Sequence, residues 1–377
     1  MSLSAFDYEM MALALREAAK GLYTTDPNPR VGCVLVKDGQ IIASGYHQRA
    51  GEGHAEVNAL KAAGDNARGA DCYVTLEPCS HFGKTPPCAD ALIKAGVRRV
   101  VAAVKDPNPQ VAGTGLSRIA DAGIATESGC METQAIALNA GFFKRMQKGI
   151  PLVRLKMAMS LDGRTALANG QSQWITGSEA REDVQALRAR SSAVITGIGT
   201  VLADNPSLNV RSEMVEQQSP GGLRQPLRVV LDRQGRTTPD MKIVSPPGEV
   251  MIFTSPQGAV QLQAKNFPGN VSIRNVSIKG VDVTGQQGLL YILQDLAAKG
   301  CNEVLIEAGP ELAGAFLEAG LVDELWIYQA GKLMGSDARA SFLMGGFERM
   351  DQLPQLYLSD CRLMGNDLRL IYRLEEH

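Results

Sequence analysis

Two hydrophobic rhythms alternate along the chain. Tyr8, Met11, Ala12, Leu15 and Ala19 recur at helical spacing, and Ser4 with Asp7 three residues on forms a capping-box-like start, which predicts a first helix. Val31 to Val36 reads as a strand, Asp38-Gly39 as a hairpin turn and Gln40 to Ser44 as the returning strand. His54 to Ala63 reads as a helix closed by Gly64, Cys72 to Leu76 as a short buried strand, Ala89 to Ala95 as a helix ending at Gly96, and Val97 to Val104 as a further strand. A helical pattern from about Glu132 stops within 141–151, where Gly149-Ile150-Pro151 breaks the chain. The alternation then restarts, with strands expected at 152–157, 193–196, 227–231, 250–253, 304–307 and 324–328, and loops at 213–226 and 233–249. This pattern predicts a layered α/β domain over 1–149 and a second α/β domain over 150–377, with no internal repeat relating them.

At 377 residues the chain is long enough for two cores, and 45% hydrophobic with 21% charged residues carries no disorder signature. The net charge is −2 and both halves are close to balance. Neither half is a basic platform, which argues against nucleic acid or an anionic membrane as the main partner. No apolar run approaches the ~20 residues that span a bilayer. The first residues lack the basic start and apolar stretch of a signal peptide, so a cytoplasmic protein acting on a small molecule is expected. Seven cysteines, an odd number spread along a long chain, do not form a disulfide framework. The question becomes which of them bind metal.

His54-Ala55-Glu56, Pro78-Cys79 and Cys88 supply an answer. One imidazole and two thiolates give three zinc ligands and leave a fourth position for water, whereas structural zinc sites fill all four with protein. Zinc lowers the pKa of such a water enough to supply hydroxide near neutral pH. Glu56, two residues past the histidine, suits a proton shuttle from water to a leaving amine. Cys79 and Cys88 are both expected just before helices, whose positive ends favour thiolates. Cys72 lies in an apolar strand and, with Cys33, Cys130, Cys301 and Cys361, reads as packing.

These residues resemble the cytidine-deaminase-like zinc deaminases, with one departure from the H-x-E…P-C-x-x-C spacing: eight residues separate the cysteines. That longer stretch, Glu77-Pro78-Cys79-Ser80-His81-Phe82-Gly83-Lys84-Thr85-Pro86-Pro87-Cys88, is similar to the deaminase half of the bifunctional riboflavin-biosynthesis deaminase/reductases. Pro27-Asn28-Pro29-Arg30-Val31-Gly32 and Lys105-Asp106-Pro107-Asn108-Pro109 resemble further signatures of that half. The resemblance implies that Asn28, His47, Lys84 and Asn108 line a pyrimidine and ribose-phosphate pocket. Asn28 equally suits a turn residue between two prolines, and Lys84 a solvated loop lysine.

In the second half, Val304-Leu305-Ile306-Glu307 followed by Ala308-Gly309-Pro310-Glu311-Leu312-Ala313-Gly314 reads as a strand, a glycine turn and a helix start, a phosphate cradle that is neither G-x-G-x-x-G nor a P-loop. A second glycine-rich stretch, Gly197-Ile198-Gly199-Thr200 onward to Leu208, also follows a strand. Together with Lys156-Met157-Ala158-Met159-Ser160-Leu161-Asp162-Gly163 these resemble the reductase half of the same family. The resemblance implies a cytidine-deaminase-like α/β/α domain followed by a dihydrofolate-reductase-like α/β domain, zinc and NADPH as cofactors, and a homodimer through the reductase half. Ala158, Trp174, Thr200, Asp204 and the turn Gly309, Pro310, Glu311, Leu312, Ala313 and Gly314 would then hold NADPH. Arg233, just past a strand, suits the adenosine 2′-phosphate or is a solvated loop arginine. Ser172, Arg188, Leu208, Arg211 and Glu307 would bind substrate, the two guanidiniums forking onto its 5′-phosphate. Lys156 and Glu307 are candidate proton donors or orienters at C1′ of the sugar, and a strand-end Lys–Glu pair equally serves as a structural ion pair.

The activity so implied is deamination of 2,5-diamino-6-ribosylamino-4(3H)-pyrimidinone 5′-phosphate at C2. Reduction of the ribosyl group to ribityl with NADPH follows, giving 5-amino-6-(5-phosphoribitylamino)uracil. The competing expectation is a zinc deaminase of cytidine-type substrates fused to a folate-type reductase.

Overall fold

The structure, a computed structural model, describes residues 3–80, 87–109, 111–275 and 282–374. By its contacts the chain divides into two compact units, Met1–Ile150 with Glu216–Arg224 and Pro151–Val215 with Gln225–His377.

The first unit runs α1 (Ala5–Ala19), β1 (Gly32–Lys37), β2 (Gln40–Tyr46), α2 (Ala55–Ala63), β3 (Asp71–Val74), α3 (Cys88–Ala95), β4 (Arg99–Ala102), α4 (Thr114–Asp121), β5 (Ala125–Ser128), α5 (Glu132–Leu138) and α6 (Ala140–Lys148). The capping box is formed: the Asp7 amide donates to Ser4 Oγ at 3.2 Å, and Asp7 Oδ2 accepts from the Ser4 amide at 2.7 Å. The five-stranded sheet has the order β2-β1-β3-β4-β5, antiparallel around β1 and parallel from β3 to β5. Two glycines fix the layering. A Cβ at Gly32 would fall 2.0 Å from the Ala14 carbonyl oxygen of α1, whereas one at Gly45 would fall 2.5 Å from the Ala59 nitrogen of α2. Gly45 pairs with Cys33, the neighbour of Gly32, and neighbouring strand residues face opposite ways, so α1 and α2 cover opposite faces. The helical stretch from Glu132 is interrupted at Asn139 and continues as α6 to Lys148, inside the expected junction at 141–151. Gly149, at φ 69°, ends it.

The second unit runs β6 (Leu152–Ser160), β7 (Arg164–Ala166), α7 (Ser178–Arg190), β8 (Ala193–Gly197), α8 (Ile198–Asp204), α9 (Glu213–Gln217), β9 (Leu227–Leu231), β10 (Val250–Thr254), α10 (Pro256–Gln263), β11 (Val271–Asn275), α11 (Gln286–Ala298), β12 (Glu303–Glu307), α12 (Pro310–Glu318), β13 (Glu324–Ala330), β14 (Arg339–Ala340), β15 (Leu356–Met364) and β16 (Asp367–Leu374). Its nine-stranded sheet, β11-β10-β9-β8-β12-β6-β13-β16-β15, is parallel from β11 to β13 and closes with an antiparallel hairpin. Strands β8, β10 and β12 are buried almost throughout, as a sheet covered on both faces requires. The stretch 213–226, expected as loop, contains α9, where Ser212 Oγ accepts the Val215 amide at 3.1 Å. Among the described residues no helix is long and apolar enough to cross a membrane.

Candidate functional site

Three side chains of the first unit converge. His54 is the residue before α2, Cys88 is the first residue of α3, and Cys79 follows β3 at the end of the stretch Glu77-Pro78. His54 Nδ1 lies 3.3 Å from Cys88 Sγ and 3.7 Å from Cys79 Sγ, and the ligand atoms of all three lie within 4.8 Å of one another. The donor set and spacing fit zinc, and among the described residues no fourth histidine, cysteine or carboxylate joins the group. Cys33 and Cys72 are buried 3.5 Å apart in neighbouring strands, outside it. Cys79 corrects the expectation that both thiols precede helices in the chain. It sits on irregular backbone, reached through space by the α3 N-terminus, whose Cys88 amide donates to Cys79 Sγ at 3.3 Å.

The electrostatics follow from this crowding. A hydrogen bond from Cys88 holds the Cys79 thiol down to about 4, with His54 assisting, while the same bond and burial push Cys88 up. The bond to Cys79 raises His54. These protons leave when a metal takes their place. Glu56, in the first turn of α2, is 3% exposed. Burial pushes its carboxyl up to about 7, against the opposing charge of His54, and Cys88 hydrogen-bonds to it. A carboxyl poised there both takes and gives protons near neutrality.

His47 stands edge-on to His54, ring centroids 5.3 Å apart. Its Nδ1–H donates to the Gly53 carbonyl at 3.1 Å, which leaves the Nε2 lone pair to accept from the Asn28 amide at 3.0 Å. Burial lowers its pKa, keeping it neutral. Asn28 and His47 thus meet beside a metal ligand. Asn108 lies between β4 and α4, its amide donating to Asp106 Oδ1 at 2.8 Å. Lys84 lies outside the described residues. Sequence reasoning passed over Glu77, a buried carboxylate that accepts four backbone amides, although Glu-Pro directly before a ligand cysteine was a visible signal.

In the second unit Lys156 of β6 pairs in register with Glu307 of β12. Arg188 Nε and Nη2 donate to the two oxygens of Glu307 at 2.6 and 2.9 Å. Burial would raise Glu307, but the charge and bonds of Arg188, aided by Lys156, hold it below its usual range. Burial lowers Lys156, against the pull of Glu307. The fork of Arg188, expected on a phosphate, is therefore spent on Glu307, because α7 lies against β12. The Gly309 amide donates to Thr200 Oγ1 at 3.0 Å, joining the two glycine-rich turns at the ends of β8 and β12. Ser172 Oγ donates to Asp204 at 3.2 Å. Trp174 is 66% exposed, with the Arg181 guanidinium 4.7 Å from its ring centre and Lys332 donating to the Trp174 and Ile175 carbonyls. Ala158 is half-buried on β6, and Arg211 is exposed. Arg233 pairs with Asp282 at 2.5 Å. Leu208, Leu312 and Ala313 are buried, and Gly314 is packed so tightly that a Cβ would fall 1.8 Å from the Leu343 carbonyl oxygen. Only Gly309, Pro310 and the exposed Glu311 of that turn are open to a ligand, and Gly199, with nothing within 4 Å of a Cβ, leaves room beside it. Bare glycine backbone at two strand-to-helix turns suits the close approach of dinucleotide phosphates.

Comparison with known proteins places each half of the chain in a family. Residues 151–370 match the RibD C-terminal domain family, and residues 4–104 match the cytidine and deoxycytidylate deaminase zinc-binding region. The riboflavin biosynthesis protein RibD of Escherichia coli is 50% identical over 97% of this chain and 98% of its own, and that of Haemophilus influenzae 45% identical over 99% and 98%. Among solved structures, Acinetobacter baumannii RibD superposes with a TM-score of 0.88 at 46% identity, covering 98% of this chain and 99% of that one. The deaminase/reductase of Thermotoga maritima gives 0.85 at 32% identity over the same shares. The chain belongs to the RibD family, the bifunctional zinc-dependent deaminases and NADPH-dependent reductases of riboflavin biosynthesis.

Proposed function

We propose that residues 1–149 deaminate 2,5-diamino-6-ribosylamino-4(3H)-pyrimidinone 5′-phosphate at C2, and that residues 150–377 reduce the ribosyl group of the product to ribityl. The observation that carries the first step is the convergence of His54, Cys79 and Cys88 beside buried Glu56. The substrate class is that of the Thermotoga maritima relative, a diaminohydroxyphosphoribosylaminopyrimidine deaminase and 5-amino-6-(5-phosphoribosylamino)uracil reductase.

His54, Cys79 and Cys88 hold zinc, which when bound supplies an acidified water. Glu56 would take a proton from the water attacking C2 and deliver it to the amine, which leaves as ammonia. Asn28, its amide oriented by neutral His47, offers polar contacts to the pyrimidine edge. Asn108 and Lys84 are assigned to the same substrate by their family motifs. In the second unit NADPH, when bound, would supply the hydride that C1′ of the sugar receives. Thr200, Gly309, Pro310 and Glu311 would hold the cofactor together with Ala158, Trp174 and Asp204, and Arg233 would take its 2′-phosphate. Ser172 and Arg211 hold the substrate. Arg188 and Glu307 orient Lys156, which bears the proton for the opening sugar.

The protein acts as a homodimer through the second unit. Supporting this, β15 ends the nine-stranded sheet and leaves Leu356, Tyr357, Leu358 and Leu363 between 39% and 76% exposed. Seven free cysteines suit a reducing, cytoplasmic setting. A coupled assay tests the whole reading: the zinc-loaded protein should release ammonia from the diaminopyrimidine phosphate and then oxidise NADPH. Faster release from cytidine, or no NADPH oxidation once deaminated substrate is present, would overturn it.

A further inference from the structure

Glu77 stands two residues before the ligand Cys79, and its side chain is 3% exposed. Its carboxylate gathers four backbone amides that lie on either side of Asn108. Oε2 accepts from Asp106 at 3.1 Å and Gly113 at 2.8 Å, and Oε1 accepts from Gly115 at 2.9 Å and Leu116 at 3.1 Å. A second contact presses the same segment onto the same place: a Cβ at Gly115 would fall 1.9 Å from the Pro78 carbonyl oxygen. Between these anchors Asn108 is held by its own backbone. Its amide donates to Asp106 Oδ1 at 2.8 Å, and its carbonyl accepts from Val111 at 2.8 Å and Ala112 at 3.0 Å.

We propose that Glu77 is a positioning residue of the deaminase, fixing the Asn108 turn at a set distance from the metal ligand Cys79 and so setting where substrate sits relative to the metal. The proposal rests on the reading of Asn108 as a substrate contact. A side chain with two acceptor oxygens matches this demand. Its two oxygens carry lone pairs for four donors, whereas the amide of glutamine would turn an NH₂ toward two N–H groups. The exchange is isosteric, so it releases the turn without opening a cavity. Among the described residues Glu77 is not one of the ligand atoms that gather for a metal; its carboxylate bonds run to the turn, and it acts through that turn.

The test is Glu77→Gln in the full, zinc-loaded chain, with Asn108→Ala and the double variant. Deaminase KM for the diaminopyrimidine phosphate should rise about tenfold or more, with kcat within about threefold. Zinc content and NADPH oxidation should stay at the parent's level, the latter reporting that the chain is folded. Amide exchange should quicken in peptides covering 111–117 and not in those covering α3. On the Asn108→Ala background Glu77→Gln should add little further to KM, because the contact it positions is gone. Loss of zinc, a fall in kcat at unchanged KM, or multiplying KM effects would overturn the proposal. If Asn108→Ala alone leaves KM unchanged, the assignment of Asn108 fails. Glu77 is then judged by exchange alone, and unaltered exchange over 111–117 refutes its anchoring.

Discussion

Replacing Glu56 by glutamine separates what this carboxyl does for chemistry from what its burial does to the fold. The side chain sits in the first turn of α2 at 3% exposure, and its pKa is raised from 4.5 to about 7, chiefly by burial. That displacement corresponds to about 3 kcal/mol by which the folded, metal-free protein disfavours the ionised form. The sign is that of a raised carboxyl. Below about pH 4.5 both folded and unfolded chains carry the proton and the penalty is absent; it grows as the unfolded chain ionises and is complete once pH passes about 7. Glu56→Gln, uncharged throughout, should therefore stabilise the chelator-treated first unit by about 3 kcal/mol at pH 8 and by less than about 1 kcal/mol at pH 5. The assay is urea-dependent hydrogen exchange of peptides from β1 and α2, because both tryptophans, Trp174 and Trp326, lie in the second unit and report only on it. With zinc restored, the same variant should lose about 10²- to 10⁴-fold in deamination kcat, the range for a positioned proton carrier. A stability difference that does not change between pH 5 and 8 would refute the electrostatic reasoning, and deamination within tenfold of the parent would refute the proton-carrying role.

Cys79→Ser or Cys88→Ser should weaken zinc binding by about 100-fold or more and abolish deamination, while NADPH binding stays within about twofold, as elemental analysis and fluorescence titration would report. Arg233→Ala should raise the KM for NADPH by about tenfold or more and that for NADH by less than about threefold; equal losses would remove the 2′-phosphate from its partners. Its exposed pair with Asp282 contributes at most about 1 kcal/mol, so tryptophan-monitored unfolding should scarcely move. Arg188→Met leaves Glu307 buried with Lys156 as its remaining charged neighbour and should destabilise the second unit by about 3 kcal/mol in that same unfolding assay. Leu358→Lys with Leu363→Lys should convert a dimer to monomer in sedimentation velocity; an unchanged sedimentation coefficient would move the interface elsewhere.

What the sequence revealed was what local chemistry controls. The capping box at Ser4, the hairpin at Asp38-Gly39 and the buried parallel strands all read directly, because each is decided by a few neighbouring residues. The zinc trio read for a different reason: histidine and cysteine at that spacing have few other uses. The hairpin of β15 and β16 did not read, since β15 is exposed along nearly its whole length and carries no alternation to reveal it. Nor did the break at Asn139, where two helices meet without proline or glycine at the joint. Arg188 shows the limit most clearly. Its chemistry suited a phosphate, but the packing of α7 against β12, which no local pattern encodes, brings it to Glu307 instead.

The two sites use one residue type in opposite ways, and the difference lies in what stands beside it. Glu56, in the first turn of α2, and Glu307, at the end of the interior strand β12, are both buried, and burial pushes both carboxyls upward. Beside Glu56 the opposing charge of His54 is outweighed, so the proton stays on to about pH 7. Beside Glu307 the two bonds of Arg188 and the register neighbour Lys156 reverse the balance, and the carboxylate remains charged. A glutamate held ionised makes a poor proton donor. Of the pair considered for C1′, this leaves Lys156, whose burial lowers its hold on a proton, as the group fitted to give one up, with Glu307 orienting it. In the metal-free first site burial outweighs the one opposing imidazole and leaves a carboxyl able to change state during turnover. The second site needs one that does not, and sets Arg188 and Lys156 beside it.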